Sequence, residues 1–312
     1  LLKFVARRLL LLVPILLGVV TVTFLLMYVV PGDPVLTLVG ERYDEEILDE
    51  IRHELGLDKP LYLQYIDYIG RLVRFDLGQS FITRRPVAEA ILERFPRTLL
   101  LALSAMVISV VFGVAIGLLA AWGRFPGLGR ACMLFTLVGV SIPVFWLGLL
   151  LIYLFSITLS LLPPSGYGGG SLRYLILPAV TLSFASMATV ARVTRSGVID
   201  VAHEDYIRTA RAKGLGDLVV LVKHVLRNAL VPVVTIVGTD FGSYLSGSVL
   251  TESIFGWPGL GRFIVQGIMK RDFPVIQGAV LFMAVAFVLV NLIIDVSYGL
   301  IDPRIRVEGG RR

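Results

Sequence analysis

The sequence has little of what most catalytic and metal centres are made from. Its 312 residues include one cysteine, Cys132, and three histidines, His53, His203 and His224. One cysteine excludes an internal disulfide and any multi-cysteine metal site. Cys132 lies in an apolar run, where a thiol packs as a small hydrophobe. Long apolar runs separate His53 from His203 and His224, which puts them in polar segments on both sides of the membrane, so the three cannot share a metal site. Charge is also scarce. Asp, Glu, Lys and Arg make up 17% of the chain, against about 25% in a soluble domain. With 56% hydrophobic residues, that scarcity excludes disorder and argues against an ordinary soluble enzyme. His53-Glu54-Leu55-Gly56-Leu57 opens like a zinc-protease helix but lacks the second histidine, without which the zinc loses a ligand. No Gly-rich phosphate loop ending in Gly-Lys-Ser/Thr and no Gly-x-Ser-x-Gly elbow occurs. A self-contained ATPase and an intramembrane hydrolase therefore both lack their chemistry.

Long apolar runs are abundant. A spanning helix needs about 20 mostly apolar residues, and six stretches qualify: Leu9–Val30, Leu99–Trp122, Ala131–Leu162, Leu175–Val193, Ala229–Leu250 and Val275–Leu300. The third is long for one crossing and is expected to tilt or to extend past the bilayer. The fourth is short, and its Ser/Thr content makes it the weakest of the six. Lys3, Arg7 and Arg8 precede the first run as in a signal peptide. That run is too long for a signal core, and Pro31-Gly32-Asp33-Pro34 follows it in place of a cleavage site. The chain thus reads as an all-α integral membrane protein of six spanning helices, with an uncleaved first span.

Six crossings put both termini on one side. The formal net charge is +6, and the basic residues gather on that side. Lys3, Arg7 and Arg8 open the chain, and Arg304, Arg306, Arg311 and Arg312 close it. Arg124 and Arg130 flank the second connection. Arg192–Arg227 holds seven basic residues against four acidic ones. The positive-inside rule then places both termini in the cytoplasm. Basic residues so distributed mark topology and leave no footprint for nucleic acid. The segment 31–97 is different, with 13 acidic and 9 basic residues. Asp44–Leu55 reads as an amphipathic helix with Ile47, Leu48, Ile51 and Leu55 on one side, stopped by Gly56. Pro60 starts a second helix to about Arg74, and Asp76–Ser80 reads as a turn. The product is a small extracytoplasmic cap or a mere connector.

The most informative stretch runs from His203 to Leu230. Acidic residues open a helix at Glu204-Asp205 and basic ones close it, which suits the helix dipole. Gly214 and Gly216 break it, and Asp217 can cap a second helix that leads into the fifth span. Arg208-Thr209-Ala210, three residues, then Gly214 resembles the cytoplasmic "EAA" loop of binding-protein-dependent ABC transporter permeases, matching its third position and its glycine. Arg208-Thr209-Ala210-Arg211-Ala212-Lys213-Gly214 followed by His224-Val225-Leu226-Arg227-Asn228 is similar to the dipeptide/oligopeptide/nickel branch. So are Pro31-Gly32-Asp33-Pro34, Leu55-Gly56-Leu57-Asp58-Lys59-Pro60, Ser141-Ile142-Pro143 and Phe255-Gly256-Trp257-Pro258-Gly259-Leu260-Gly261.

The resemblance implies the type I ABC importer permease fold, with the small extracytoplasmic cap following the first helix. It divides the chain into an N-terminal transmembrane helix (1–30), a cap region (31–97), a permease core with five further spans and a coupling loop (98–302, loop 197–228) and a cytoplasmic tail (303–312). It implies a multi-pass protein of the inner membrane that translocates dipeptides or oligopeptides delivered by an extracytoplasmic binding protein. The partners it implies are a second homologous permease, two cytoplasmic ATPase subunits and the lipid bilayer. This chain would bind no cofactor; ATP and magnesium would sit on the ATPases. ATPase coupling carries over to Tyr206, Ile207, Arg208, Thr209, Ala210, Arg211, Ala212, Lys213 and Gly214, with Ala210 and Ala212 permitting close approach. The same loop could instead meet anionic lipid.

Other polar positions remain open between two readings. Asp240 falls near the middle of the fifth span, where a carboxylate costs about 2.5–3.5 kcal/mol on insertion scales. With Ser243, Ser246 and Ser248, and Asn291 and Asp295 on the last span, it lines a translocation path or serves helix packing. Gly113 and Gly117 form a Gly-x-x-x-Gly packing pattern. Ser253–Pro274 reads as a short re-entrant or interfacial helix with Trp257 at interfacial level. Two alternatives stand: the same machine importing nickel or a metal chelate, and a lone ion-coupled carrier with Asp240 as coupling carboxylate.

Overall fold

The computed structural model describes residues 2–29, Val35, 45–54, 56–121 and 126–301. All its regular elements among these residues are helical. Among the described residues, three helices are long and apolar enough to cross a membrane, and up to five cross if each of two bent pairs counts as one span. The first helix adds a shorter apolar stretch, Leu12–Leu25. The chain folds as two compact units, one of residues 1–98 with 258–292 and one of 99–257 with 293–312.

The first unit contains α1 (Leu2–Val29), α2 (Glu45–Glu54) and α3 (Leu61–Val73), the start of α4 (Val87–Ala121), and, from the C-terminal half, α12 (Leu260–Lys270) and most of α13 (Phe273–Ile301). The amphipathic periodicity of 44–55 and 60–74 does produce α2 and α3, with Asp44 and Leu55 outside the described residues. Gly56, at φ +68°, ends α2 in the left-handed conformation that glycine adopts without steric cost. Pro60 sits before α3 with an extended backbone. Leu260 and Ile264 of α12 pack with Val87, Ile91, Val275, Ala279 and Met283. The segment 253–274 therefore supplies core to this unit as well as surface. A second cluster joins Val20 and Phe24 of α1 to Tyr68 of α3.

Asp272 ties the unit together. Only 4% exposed, it accepts hydrogen bonds from Ser80 Oγ at 2.5 Å and from the Phe81 N–H at 3.1 Å. The Asp76–Ser80 turn is thereby pinned to the start of α13. Asp272→Ala would bury two donors without an acceptor, so a loss of about 2–3 kcal/mol is expected. A thermal unfolding midpoint in detergent equal to wild type would contradict it.

The second unit is built around α7 (Leu172–Ala202). Of the three long apolar helices it is the most enclosed, with 61% of its apolar window buried against 28% and 33% in the others. The Ser/Thr content that made this the weakest apolar run in the sequence is a consequence of that position. Thr181, Ser183 and Thr194 are fully buried, facing protein in place of lipid. Glycines bring other helices close to it. A Cβ on Gly117 would stand 2.5 Å from the Ala191 carbonyl oxygen, and one on Gly139 2.5 Å from the Ala188 Cβ. Gly113 and Gly117 are thus packing residues, as their spacing implies.

The third apolar run departs from expectation. It neither tilts nor overshoots as one rod; it breaks. α5 (Pro126–Ser141) and α6 (Val144–Leu151, continued by a π-helical turn Ile152–Thr158) meet at 108°. Pro143 has no N–H and disfavours helical backbone at Ile142, and its own backbone is extended at φ −61°, ψ 133°. Trp257, expected at interfacial level, is 1% exposed, with its ring 5.0 Å edge-on from Tyr167. The hydrogen bond from the Gly166 N–H to the Phe255 carbonyl, 2.8 Å, holds the loop beneath it.

Candidate functional site: the hairpin between α7 and α11

Two short helices lie between α7 and α11 (Val231–Ile254). The first, α8 (Asp205–Ala212), starts after the extended residue Glu204 and is strongly two-faced. The second begins as α9 (Asp217–Val219), passes through a π-helical turn Val220–Val225 and ends as α10 (Leu226–Ala229), meeting α11 at 48°. Gly216 takes the cap position, so Asp217 is the first helical residue and does not cap with its side chain.

The turn between them is closed by backbone alone. The Gly214 N–H donates to the Arg211 carbonyl at 2.9 Å and the Leu215 N–H to the Ala210 carbonyl at 3.4 Å. With Gly214 at φ +79°, these are the two bonds of a Schellman stop. Beneath the turn, Ile207 and Ala210 pack with Val198, Val220, Val225 and Ala229. Asn228 Nδ2 donates to the Tyr206 hydroxyl at 2.8 Å, fastening α8 to α10.

The nine residues singled out in this loop therefore divide. Ile207 and Ala210 are buried and hold the hairpin together, so the small side chain of Ala210 opens space within the hairpin. Tyr206, Arg208, Thr209, Arg211, Ala212, Lys213 and Gly214 are exposed. Arg208 reaches only Asp205, at 3.5 Å on the surface, a pair of little energetic consequence. Arg211 and Asp217 border a cavity of about 510 Å³ under the turn. The outward face thus carries Arg208, Arg211 and Lys213 on a rigid scaffold, with exposed Leu218 and Val222 beside it. Such a surface can seat an acidic-rimmed protein groove.

The intramembrane candidates behave differently from one another. Asp240, half-buried on α11, accepts a short hydrogen bond from Ser186 Oγ of α7. Ser243 donates to the Thr239 carbonyl at 3.3 Å and Ser248 to the Leu245 carbonyl at 3.0 Å, both on their own helix. Asn291, in the other unit, donates to the Phe287 carbonyl at 2.9 Å. The side chains of Ser246 and Asp295 lie outside the described residues. Of these positions, Asp240 is the one whose described hydrogen bond crosses between helices. Its partner Ser186 was missed because it sits in the run whose polarity had counted against it.

The structure is that of an all-helical membrane protein with a two-helix hairpin inserted between two apolar helices. Comparison with known proteins gives this class its family. Residues 113–307 match the binding-protein-dependent transport system inner membrane component, and residues 1–102 match the N-terminal model of that membrane component. The chain belongs to this family of inner-membrane transport components. It is 44% identical over 332 aligned positions to the di/tripeptide transport system permease protein DppB of Pseudomonas aeruginosa, covering 98% of this chain and 99% of that one. It is 45% identical over 307 positions to the glutathione transport system permease protein GsiC of Escherichia coli K12, covering 98% and 100%. Among solved structures, the inward-facing methionine ABC transporter MetNI matches with a TM-score of 0.58 at 18% identity, over 69% of this chain and 97% of that one. That likeness carries the fold alone, and it agrees with the type I importer permease fold.

Proposed function

We propose that the chain is one of two homologous permeases forming the path of an ATP-driven importer for dipeptides or oligopeptides. The peptide assignment rests on the two relatives above. The proposed mechanism rests on the hairpin. An extracytoplasmic binding protein delivers substrate, and two cytoplasmic ATPases, holding ATP and magnesium, grip the exposed face of Tyr206–Gly214. Because Ile207 and Ala210 lock α8 to α10, and α10 continues across a single bend into α11, displacement of α8 pulls on α7 and α11 together. Nucleotide binding that favours one docked geometry then biases the pathway between its two openings. Both termini lie on the ATPase side, and the partner permease is a different chain of similar topology.

The observation that carries this reading is the division of the loop into a locked inner face and an exposed basic outer face. It is tested by Arg208→Glu combined with Arg211→Glu. Both side chains are exposed, so insertion and thermal stability are expected to stay at wild-type values. Co-purification of the ATPases should fall, and ATP-driven uptake of a labelled tripeptide into proteoliposomes should fall about tenfold or more, because reversed rim charges oppose docking. Wild-type uptake would sink the proposal. Nickel uptake without peptide uptake would reassign the substrate and leave the coupling intact.

A further inference from the structure

Two neighbouring cavities in the first unit have no part in the mechanism above. They measure about 550 and 290 Å³ and share Met27, Leu57, Tyr68, Arg71 and Gln277 in their walls. Their charged lining is mainly basic: Lys59, Arg71, Arg74 and Arg84 outnumber Asp67 and Asp76. Asp67 is already taken by Lys59 at 2.8 Å, and Asp76 accepts the Gly78 N–H at 2.9 Å. Arg71, Arg74 and Arg84 form no ion pair among the described residues. The Tyr68 hydroxyl is buried between the cavities, with the Thr23 hydroxyl as its neighbour and no hydrogen bond of good geometry to it. Basic residues at the end of α3 suit its dipole, but the dipole does not account for a buried hydroxyl held only by a poorly aligned neighbour.

The position of the cavities narrows what could satisfy both. Phe24 and Met27 come from the last turns of the apolar run that ends before Pro31. Gln277 comes from the first turns of α13, where the last apolar run begins. Both runs meet the cavities at their ends, which is the level of lipid headgroups. The Tyr28 hydroxyl donates to Gln64 Oε1 at this level, and Tyr65 stacks edge-on to Phe24 at 5.2 Å, as aromatic side chains do at membrane interfaces. Below it on α1, Val22 and Leu25 are 59% and 47% exposed, an apolar track leading away from the basic rim.

We infer that this cleft between α1, α3 and α13 binds a phosphate-bearing ligand, and that an anionic phospholipid of the surrounding bilayer supplies it. Arg71 and Arg74, three residues apart on α3, grip the phosphate oxygens by charge-assisted hydrogen bonds. The Tyr68 hydroxyl donates a further bond, and acyl chains lie along Val22 and Leu25. Basic pockets between spanning helices hold headgroups in this way.

The test uses the full transporter complex, purified in detergent and titrated with phosphatidylglycerol, with phosphatidylcholine or with inorganic phosphate. Lipid retention is read by native mass spectrometry and protection by thermal unfolding. Phosphatidylglycerol should be retained in preference to phosphatidylcholine. Arg71→Gln with Arg74→Gln should weaken retention at least about tenfold, the loss expected for two charge-assisted hydrogen bonds. Tyr68→Phe, which keeps the ring packing against Phe24, should weaken it by a smaller factor. Protection by inorganic phosphate that the double variant abolishes, with no lipid retained, would uphold the anion site and overturn its lipid source. Equal retention of phosphatidylglycerol by wild type and the double variant would overturn the site itself.

Discussion

Gly117→Leu is expected to yield no folded protein. The first atom such a side chain adds would stand 2.5 Å from the Ala191 carbonyl oxygen and 2.6 Å from the Thr194 Cβ. Neither is the end of a flexible side chain, because one is backbone in the middle of α7 and the other is fixed at its root. Relief requires α4 to move away from α7, which opens the most enclosed helix of the second unit. Overpacking of an ordinary core costs about 1–3 kcal/mol; here both walls are rigid and three further side-chain carbons follow, so the cost should exceed that range. The measurable result is loss of the monodisperse peak in size-exclusion chromatography. Gly18→Leu is the control, since a Cβ there meets nothing within 4 Å. A monodisperse Gly117→Leu protein would show that α4 and α7 do not rely on this contact.

The second large effect is expected at Ile207. Its side chain is fully buried in the cluster that joins α8 to α10. Ile207→Asp removes an apolar contact and buries a carboxylate with no described partner in its place, at a cost of several kcal/mol. The hairpin is a small element, so that penalty should release α8 while the long helices remain packed. Trypsin would then cut rapidly at Arg208, Arg211 and Lys213, which the folded hairpin holds in α8 or in the turn that closes it. Transport should be abolished while insertion persists. Such a result differs from the charge-reversal variant, which keeps protease resistance. Unchanged proteolysis together with wild-type uptake would refute the role given to the locked inner face.

Local pattern carried much of this from the sequence. Ile207 and Ala210 are spaced to share a helical face, and Gly214 stands where a helix must stop. Gly113 and Gly117 have the spacing of a close helix contact. These features are local, and helical geometry turns them into structure without further information. What the sequence withheld depends on the environment that other segments provide. Hydropathy registers the length of an apolar run but not its direction, so the run reads as one long rod although it contains Ser141-Ile142-Pro143. Polarity inside a run lowers its apparent fitness for lipid, which misjudged α7, whose neighbours are protein. The burial of Trp257 depends on Tyr167, 90 positions away in no local pattern with it. Ser186 and Asp240 are 54 positions apart, and no periodicity connects them.

The angle at Pro143 also has a bearing on the membrane itself. Two stretches meeting at 108° cannot both run along the bilayer normal. α5, at 16 residues, extends only about 24 Å at 1.5 Å per residue, less than the roughly 30 Å hydrocarbon core. If α5 is upright, α6 lies nearly flat, with Phe145, Trp146 and Tyr153 open to the surroundings. The protein then occupies extra lateral area on one flank while matching a reduced thickness there. Lipids covering that flank would thin by a few ångströms, an elastic deformation whose energy depends on acyl-chain length. On that geometry bilayer thickness would act on the second unit.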